Sequence, residues 1–396
     1  MQETEPNQLG PKRGGDILKL LIQPDDDADR LVKGIRKAKK SIEIVIFRFD
    51  RSEIERALLK AAEKGVFIHA LIASTNRGGE EHLRKLEMRL LEKGISVART
   101  AGDLLRYHGK MMVVDRKELY LLAFNFTHLD IDHSRSFGLV TRNPGLLHEA
   151  IKLFEADTKR QPYVAGNSKF VVSPVNARKQ LTAFLKGAKK QLLIYDPEIS
   201  DRAMLRVLHE RRSAGVDIRV IGKISRNTLP NRKLRALRVH ARMILRDGQQ
   251  AFLGSQSLRQ VELDSRREIG VIFRNRGVMT ALARTFEQDW VASESTQQKT
   301  TSNFEVGKTA RKMAEVVSKN LPVTPVVKQV VRAIEKKNDL ELRPREVEET
   351  VKTAVKEAVK DTVRDATKEA IKNMVEAAET GERQVGELDP LRSKEA

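Results

Sequence analysis

Two histidines stand out by their neighbours. His108 is followed by Lys110 and Asp115 in Arg106-Tyr-His-Gly-Lys-Met-Met-Val-Val-Asp115, and Asn125 comes further on in Leu-Leu-Ala-Phe-Asn. A weaker copy, Val239-His-Ala-Arg-Met-Ile-Leu-Arg-Asp247, puts His240, Arg242 and Asp247 at the same spacing, and Ser257 follows His240 at the interval that separates Asn125 from His108. On a strand, residues i and i+2 point to one face, so each histidine is expected beside its cation. These residue types suit a phosphodiester. Its negative charge repels an incoming nucleophile, so cations must hold its oxygens as charge redistributes. Lys110 would do this as a point charge and Arg242 as a planar fork. A neutral imidazole can attack phosphorus while a second, protonated one supplies the leaving alkoxide with its proton. An unperturbed histidine pKa of about 6.5 suits either task. The attack would give a phosphohistidine, resolved by water or by another alcohol.

Such groups need elements to carry them, and the chain supplies the elements twice. From residue 16 it reads strand, helix, strand: Ile17–Ile22, a helix over Asp26–Ala38, a β-rich run over Ile42–Phe49, a helix from Ser52 to Lys64 and a buried strand over Val66–Ser74. Gly65 sits where a helix usually ends. Helices alternating with apolar runs indicate an α/β fold. Ala38-Lys-Lys-Ser-Ile-Glu-Ile-Val-Ile then returns as Ala188-Lys-Lys-Gln-Leu-Leu-Ile-Tyr, and Glu63-Lys-Gly-Val-Phe-Ile as Ser213-Ala-Gly-Val-Asp-Ile, both pairs displaced by one common offset. The histidine motifs are displaced by less, so the second copy has lost a stretch of chain between these signals. After them the spacing is rigid, with Gly138 and Gly270 at one shared interval beyond their histidines. Duplication of one α/β unit is the economical explanation.

Composition bounds the rest. A chain of 396 residues is too long for one ordinary core. The absence of cysteine excludes a disulfide framework and a thiolate metal site. The polar start shows no signal peptide, and no apolar run reaches the roughly 18 residues of a membrane span. A cytoplasmic protein is expected, with the membrane periphery as an alternative place of work. The net charge of +20 points to an anionic partner, nucleic acid or an acidic lipid surface. Aromatics at 5% leave few stacking platforms for single strands. The other six histidines show no metal-ligand spacing, so neither metal nor cofactor is expected. Past residue 292 the composition shifts to a linker over 293–304, then to a charged helical extension over 305–396. Its long helical stripe, 344–379, advances by steps of four, which fits a left-handed heptad coil poorly. It could pack on the core or on a sister subunit, lie on a membrane, or form a charged tail.

His-x-Lys/Arg-x4-Asp, present twice and in register, resembles the phospholipase D superfamily over residues 16–295. The resemblance implies two α/β sandwich halves, 16–160 and 168–292, about a pseudo-twofold axis. A flexible arm over 1–15 would precede them, and one shared site in a monomer would need no metal. It implies His108 as nucleophile, His240 as general acid and Asn125 as a phosphate contact. Asp115 and Asp247 are assigned to structural and orienting hydrogen bonds. Glu268 falls where many members carry an acid that fixes a histidine tautomer. Arg242, Ser257 and Ser136 depart from the expected lysine, asparagine and acid, and Asp130 or Asp132 could replace that acid. A phosphodiesterase or phosphatidyltransferase of phospholipids is the first expectation. A nuclease of the superfamily comes second, and a weakly active module binding a phosphodiester or a membrane third.

Overall fold

The computed structural model describes residues 18–74, 80–100, 102–225 and 229–295. The arm expected over 1–15, the extension over 305–396 and the linker beyond residue 295 lie outside the described residues.

Each half builds its own sheet, and the strand order is the same in both. In the first, Leu18–Gln23, Ser134–Thr141, Glu118–Leu122, Met111–Val114, Ser41–Ile46, Phe67–Ile72 and Ser96–Arg99 lie side by side in that order. In the second, Phe170–Val172, Ile269–Phe273, Gln250–Gly254, Met243–Arg246, Gln191–Ile199, Asp217–Ile224 and Asn231–Leu234 repeat it. Ser293–Ser295, expected to open a linker, add a short edge strand antiparallel to Asn231–Leu234. The α/β class and the duplication are both present, strand for strand.

The apolar runs are explained by burial on both sheet faces. In Ser41–Ile46, Ile42, Ile44 and Ile46 join an outer core with Leu31 and Ile35 of the helix Asp29–Arg36 and with Ile54 and Leu58 of Ser52–Glu63. Val45 and Phe47 alternate to the inner face. There they share a core with Leu193, Tyr195 and Met243 of the other sheet. The same core takes Leu153 and Phe154 of the helix Pro144–Thr158 and Leu282 and Phe286 of Arg276–Val291. The run expected over Ile42–Phe49 ends as a strand at Ile46. From there Phe47 packs its ring edge-on against His108, with 4.7 Å between centroids.

Two reciprocal ion pairs join the halves. Arg135 donates from Nε to Asp289 at 2.7 Å and from Nη1 to the Gln23 carbonyl at 2.8 Å. Arg267 repeats the arrangement, donating from Nη2 to Asp157 at 3.0 Å and from Nη1 to the Ser173 carbonyl at 3.2 Å. Each carboxylate also accepts a tyrosine hydroxyl, Tyr195 on Asp289 at 2.5 Å and Tyr107 on Asp157 at 2.6 Å. All four charged side chains are buried. Removing one member of a buried pair strands the other charge and costs about 3–5 kcal/mol.

The motif aspartates are built into this framework. Asp115 begins the turn after Met111–Val114 with φ of +53°, and Asp247 does the same after Met243–Arg246 with φ of +54°. Asp115 accepts the backbone N–H groups of Lys39, Lys40 and Ser41 at 2.7–3.1 Å. Asp247 accepts those of Lys189, Lys190 and Gln191. The repeated Ala-Lys-Lys segments and the repeated aspartates therefore fasten each other. These amides hold both carboxyls below the usual aspartate range, against the opposing effect of burial. A depressed folded pKa stabilises above the unfolded pKa and loses that contribution as pH falls through the folded value. Asp115→Asn with Asp247→Asn is expected to lower stability near neutral pH by about 1–3 kcal/mol and to flatten the acid limb of a denaturation-versus-pH curve. An unchanged acid limb would refute the assignment.

Candidate active site

The two motifs reach each other because the strand before each one pairs with the opposite half. Arg106–Tyr107 runs parallel to Arg266–Arg267, and Arg238–Val239 runs parallel to Ser134–Arg135. The pairing continues into the histidines: the His108 N–H donates to the Arg267 carbonyl at 2.8 Å and the His240 N–H to the Arg135 carbonyl at 3.1 Å. His108, Gly109 and Lys110 are consequently not part of a strand, contrary to the alternation expected of them. They span the step from that inter-half ladder to the sheet strand Met111–Val114. A Cβ on Gly109 would stand 2.5 Å from Ile269 Cδ1, so a larger residue in this step would have to displace that side chain.

Each imidazole is backed by an acid from the other half. His108 Nδ1 lies 2.9 Å from Glu268 Oε2, and His240 Nδ1 lies 3.4 Å from Asp130 Oδ2. Sequence spacing ties Glu268 to the second motif, but folding delivers it to the first. Ser136, at the corresponding place, is fully buried, and among the described residues its hydroxyl makes no hydrogen bond. Asp130 takes that place instead, without a hydrogen bond to His240 Nδ1 among the described residues. It is fixed by Asn125, whose backbone N–H and Nδ2 donate to Oδ2 at 2.8 and 2.6 Å, and by Arg238 on its other oxygen. Asp132, the other candidate, pairs with Arg51 and with His128 Nδ1.

The cations differ in how they are held. Lys110 is 1% exposed, and among the described residues its Nζ has no hydrogen-bond partner; it stands 5.4 Å from the Phe47 ring centroid. Arg242 donates from Nη1 to the His240 carbonyl at 3.0 Å and from Nε to Ser257 Oγ at 3.3 Å. Sequence reasoning missed Glu262, which accepts the Ser257 N–H at 2.8 Å and lies 3.8 Å from Arg242 Nε. The signal was available, since Glu262 follows Ser257 at the interval by which Asp130 follows Asn125. His108, Lys110, Asn125, His240, Arg242, Ser257 and Glu268 thus come together, while Asp115 and Asp247 stay at the far ends of their strands.

The charges tie the two halves into one environment. Burial holds both imidazoles well below the usual histidine range. Lys110 and Arg242 act on both rings in the same direction, so each reaches across the boundary between halves. Burial also brings Lys110 down to about 7, against the pull of Glu268. A bound anion would reverse these shifts, because it favours every cationic form around it. Inorganic phosphate is therefore expected to bind with net proton uptake at pH about 7–8. Calorimetry in two buffers of different ionisation enthalpy measures that uptake, and Lys110→Met should reduce it. Equal heats in both buffers would contradict it.

Known proteins resemble this chain in sequence and in fold. The family described as cardiolipin synthase, PLD-like domain, matches residues 31–158 and 181–290, more than half of the chain. A polyphosphate kinase from Prosthecochloris aestuarii is 25% identical over 305 residues, covering 66% of this chain and 42% of its own. A mitochondrial cardiolipin hydrolase from Danio rerio is 28% identical over 131 residues, covering 32% of this chain and 56% of its own. The chain spans about half the length of these curated relatives. The polyphosphate kinase structure from Porphyromonas gingivalis matches with a TM-score of 0.59 at 18% identity, covering 68% of this chain and 50% of that one. The phosphatidylserine synthase from Haemophilus influenzae matches with a TM-score of 0.55 at 11% identity, covering 70% and 87%. These two likenesses are of fold. With the PLD-like domain matched in both halves, the chain belongs to the phospholipase D superfamily.

Proposed function

We propose that the chain cleaves or transfers the phosphodiester of phospholipids through a phosphohistidine on His108. One observation carries this reading: two imidazoles, each with a carboxylate at Nδ1, share a buried site with Lys110 and Arg242. Glu268 takes the Nδ1 proton of His108 into a hydrogen bond, which leaves the Nε2 lone pair for phosphorus. Lys110, Arg242 and Asn125 hold the phosphoryl oxygens as charge develops on them. His240, protonated once the substrate's negative charge offsets the two cations, gives its proton to the leaving alkoxide. The neutral His240 then removes a proton from water or an alcohol, which attacks phosphorus and frees His108. Asp130 behind His240 supports a catalytic second half over a mere binding module.

The lipid substrate rests on the cardiolipin synthase-type domain and on relatives named for cardiolipin and phosphatidylserine chemistry. Among the described residues no helix is long and apolar enough to cross a membrane, so a lipid substrate would be met at a bilayer surface. A second reading, a metal-independent nuclease, is favoured by the net charge of +20. Basic and acidic residues nearly balance beyond residue 297, so most of that excess belongs to the two halves.

The test offers vesicles of cardiolipin, phosphatidylglycerol and phosphatidylserine, plasmid DNA, RNA and polyphosphate to the protein in chelator, reading products of each. Lipid turnover is expected, with His108→Ala and His240→Ala each lowering it roughly 10²–10⁴-fold. Cleaved nucleic acid beside intact lipid would transfer the proposal to the nuclease. Full activity in either histidine variant would end the shared-site mechanism.

A further inference from the structure

The second motif differs from the first at more than two places, and the differences fit one another. Arg242 stands for Lys110, Ser257 for Asn125, and Glu262 for Asp130. A fourth change lies at the position that repeats Ile46, where the second half carries Asp196. Arginine is longer than lysine and its charge is a planar fork. The smaller Ser257 leaves room for it and accepts from its Nε at 3.3 Å. Glu262 reaches one methylene farther than an aspartate, to 3.8 Å from the same Nε. Its other oxygen takes Arg266 at 3.2 Å.

Asp196 has an apolar counterpart in the first half, yet it is 2% exposed beside this cluster. It accepts the Leu258 N–H at 2.8 Å and the Glu198 N–H at 2.9 Å. The adjacent amides of Ser257 and Leu258 are therefore gripped by two acids, Glu262 and Asp196. Burial first, and Glu262 after it, push Asp196 up to about 6, whereas Arg242 draws it down. Lys110 Nζ, by contrast, has no hydrogen-bond partner among the described residues. Independent decay would leave buried charges stranded, and each would be costly. Four matched changes leave none stranded.

We propose that Ser257, Glu262 and Asp196 form a cradle built for Arg242. It makes the second motif a fixed, permanently charged phosphate clamp that complements the unanchored Lys110. Glu262 and Asp196 are positioning residues in this scheme. It draws on the phosphodiester reading only in naming phosphate as the anion.

The experiment transplants the first half's set into the second. Binding of inorganic phosphate to the full chain is measured by calorimetry, and turnover of bis(p-nitrophenyl) phosphate is followed beside it. The variants are Arg242→Lys, Arg242→Lys with Ser257→Asn, and both with Glu262→Asp. The single change is expected to weaken phosphate binding on the order of tenfold, since an ammonium lacks the planar fork that the cradle holds, and the triple change to recover most of that loss. Wild-type affinity in Arg242→Lys, or a triple variant no tighter than the single one, would overturn the cradle, as would wild-type protein that binds no phosphate. Thermal melts identify any variant that fails to fold. Ser257→Ala, which removes only the oxygen accepting from Nε, then decides: unchanged phosphate affinity counts against the cradle. Phosphate binding with the expected pattern but no ester turnover would sink the catalytic reading and leave the cradle standing. Turnover without the pattern does the reverse.

Discussion

Each histidine depends on an acid it cannot reach within its own half. His108 is held by Glu268 and His240 meets Asp130, so neither ring is backed unless the two sheets are docked. The docking is specific because its polar contacts are buried and reciprocal. Arg135 to Asp289 and Arg267 to Asp157 cross the boundary in opposite senses, and each arginine also ties a carbonyl of its own half. Such pairs gain little over apolar packing, yet breaking one is expensive. They act against misalignment of the halves. Arg135 and Arg267 each lie next to a residue whose half must align, Ser136 in one case and Glu268 in the other.

The burial that makes the site also sets its charge. Histidines at 6–7% exposure and a lysine at 1% would rather be neutral, and their lowered pKa values say so. Burial thus favours the neutral forms of the two imidazoles and of Lys110. The incoming phosphate would itself restore charge to the groups that bind it, so binding, protonation and preparation of a general acid belong to one event. Removing water from the same volume strengthens each of these interactions.

Much of this was legible in the residues alone. The duplicated α/β architecture followed from Ala38-Lys-Lys and Ala188-Lys-Lys in register with two histidine motifs, because repetition survives where local propensities blur. His108, Lys110, His240 and Arg242 were legible too, since imidazoles beside cations at fixed spacing have few other uses. The aspartates were legible in kind: three consecutive amides on Asp115 are an orienting role. What spacing hid was partnership. Glu268 reads as belonging to His240, the histidine that precedes it in its own half, and serves His108. Glu262 was marked only by its register with Asp130, and Asp196 gave no chemical signal, because an acid in a strand reads as solvated surface.

The sequence by itself determined the repeated α/β unit, its leading strands and helices, the two histidines and the cations beside them, through short-range spacing and apolar periodicity. Only the tertiary structure decided which acid stands behind which imidazole. It also decided that His108-Gly109-Lys110 forms a crossing rather than a strand, and that Arg242 is accommodated rather than misplaced. Those facts depend on contacts between groups far apart in the chain, as His108 and Glu268 are, whose geometry is fixed by two sheets packing on one shared core.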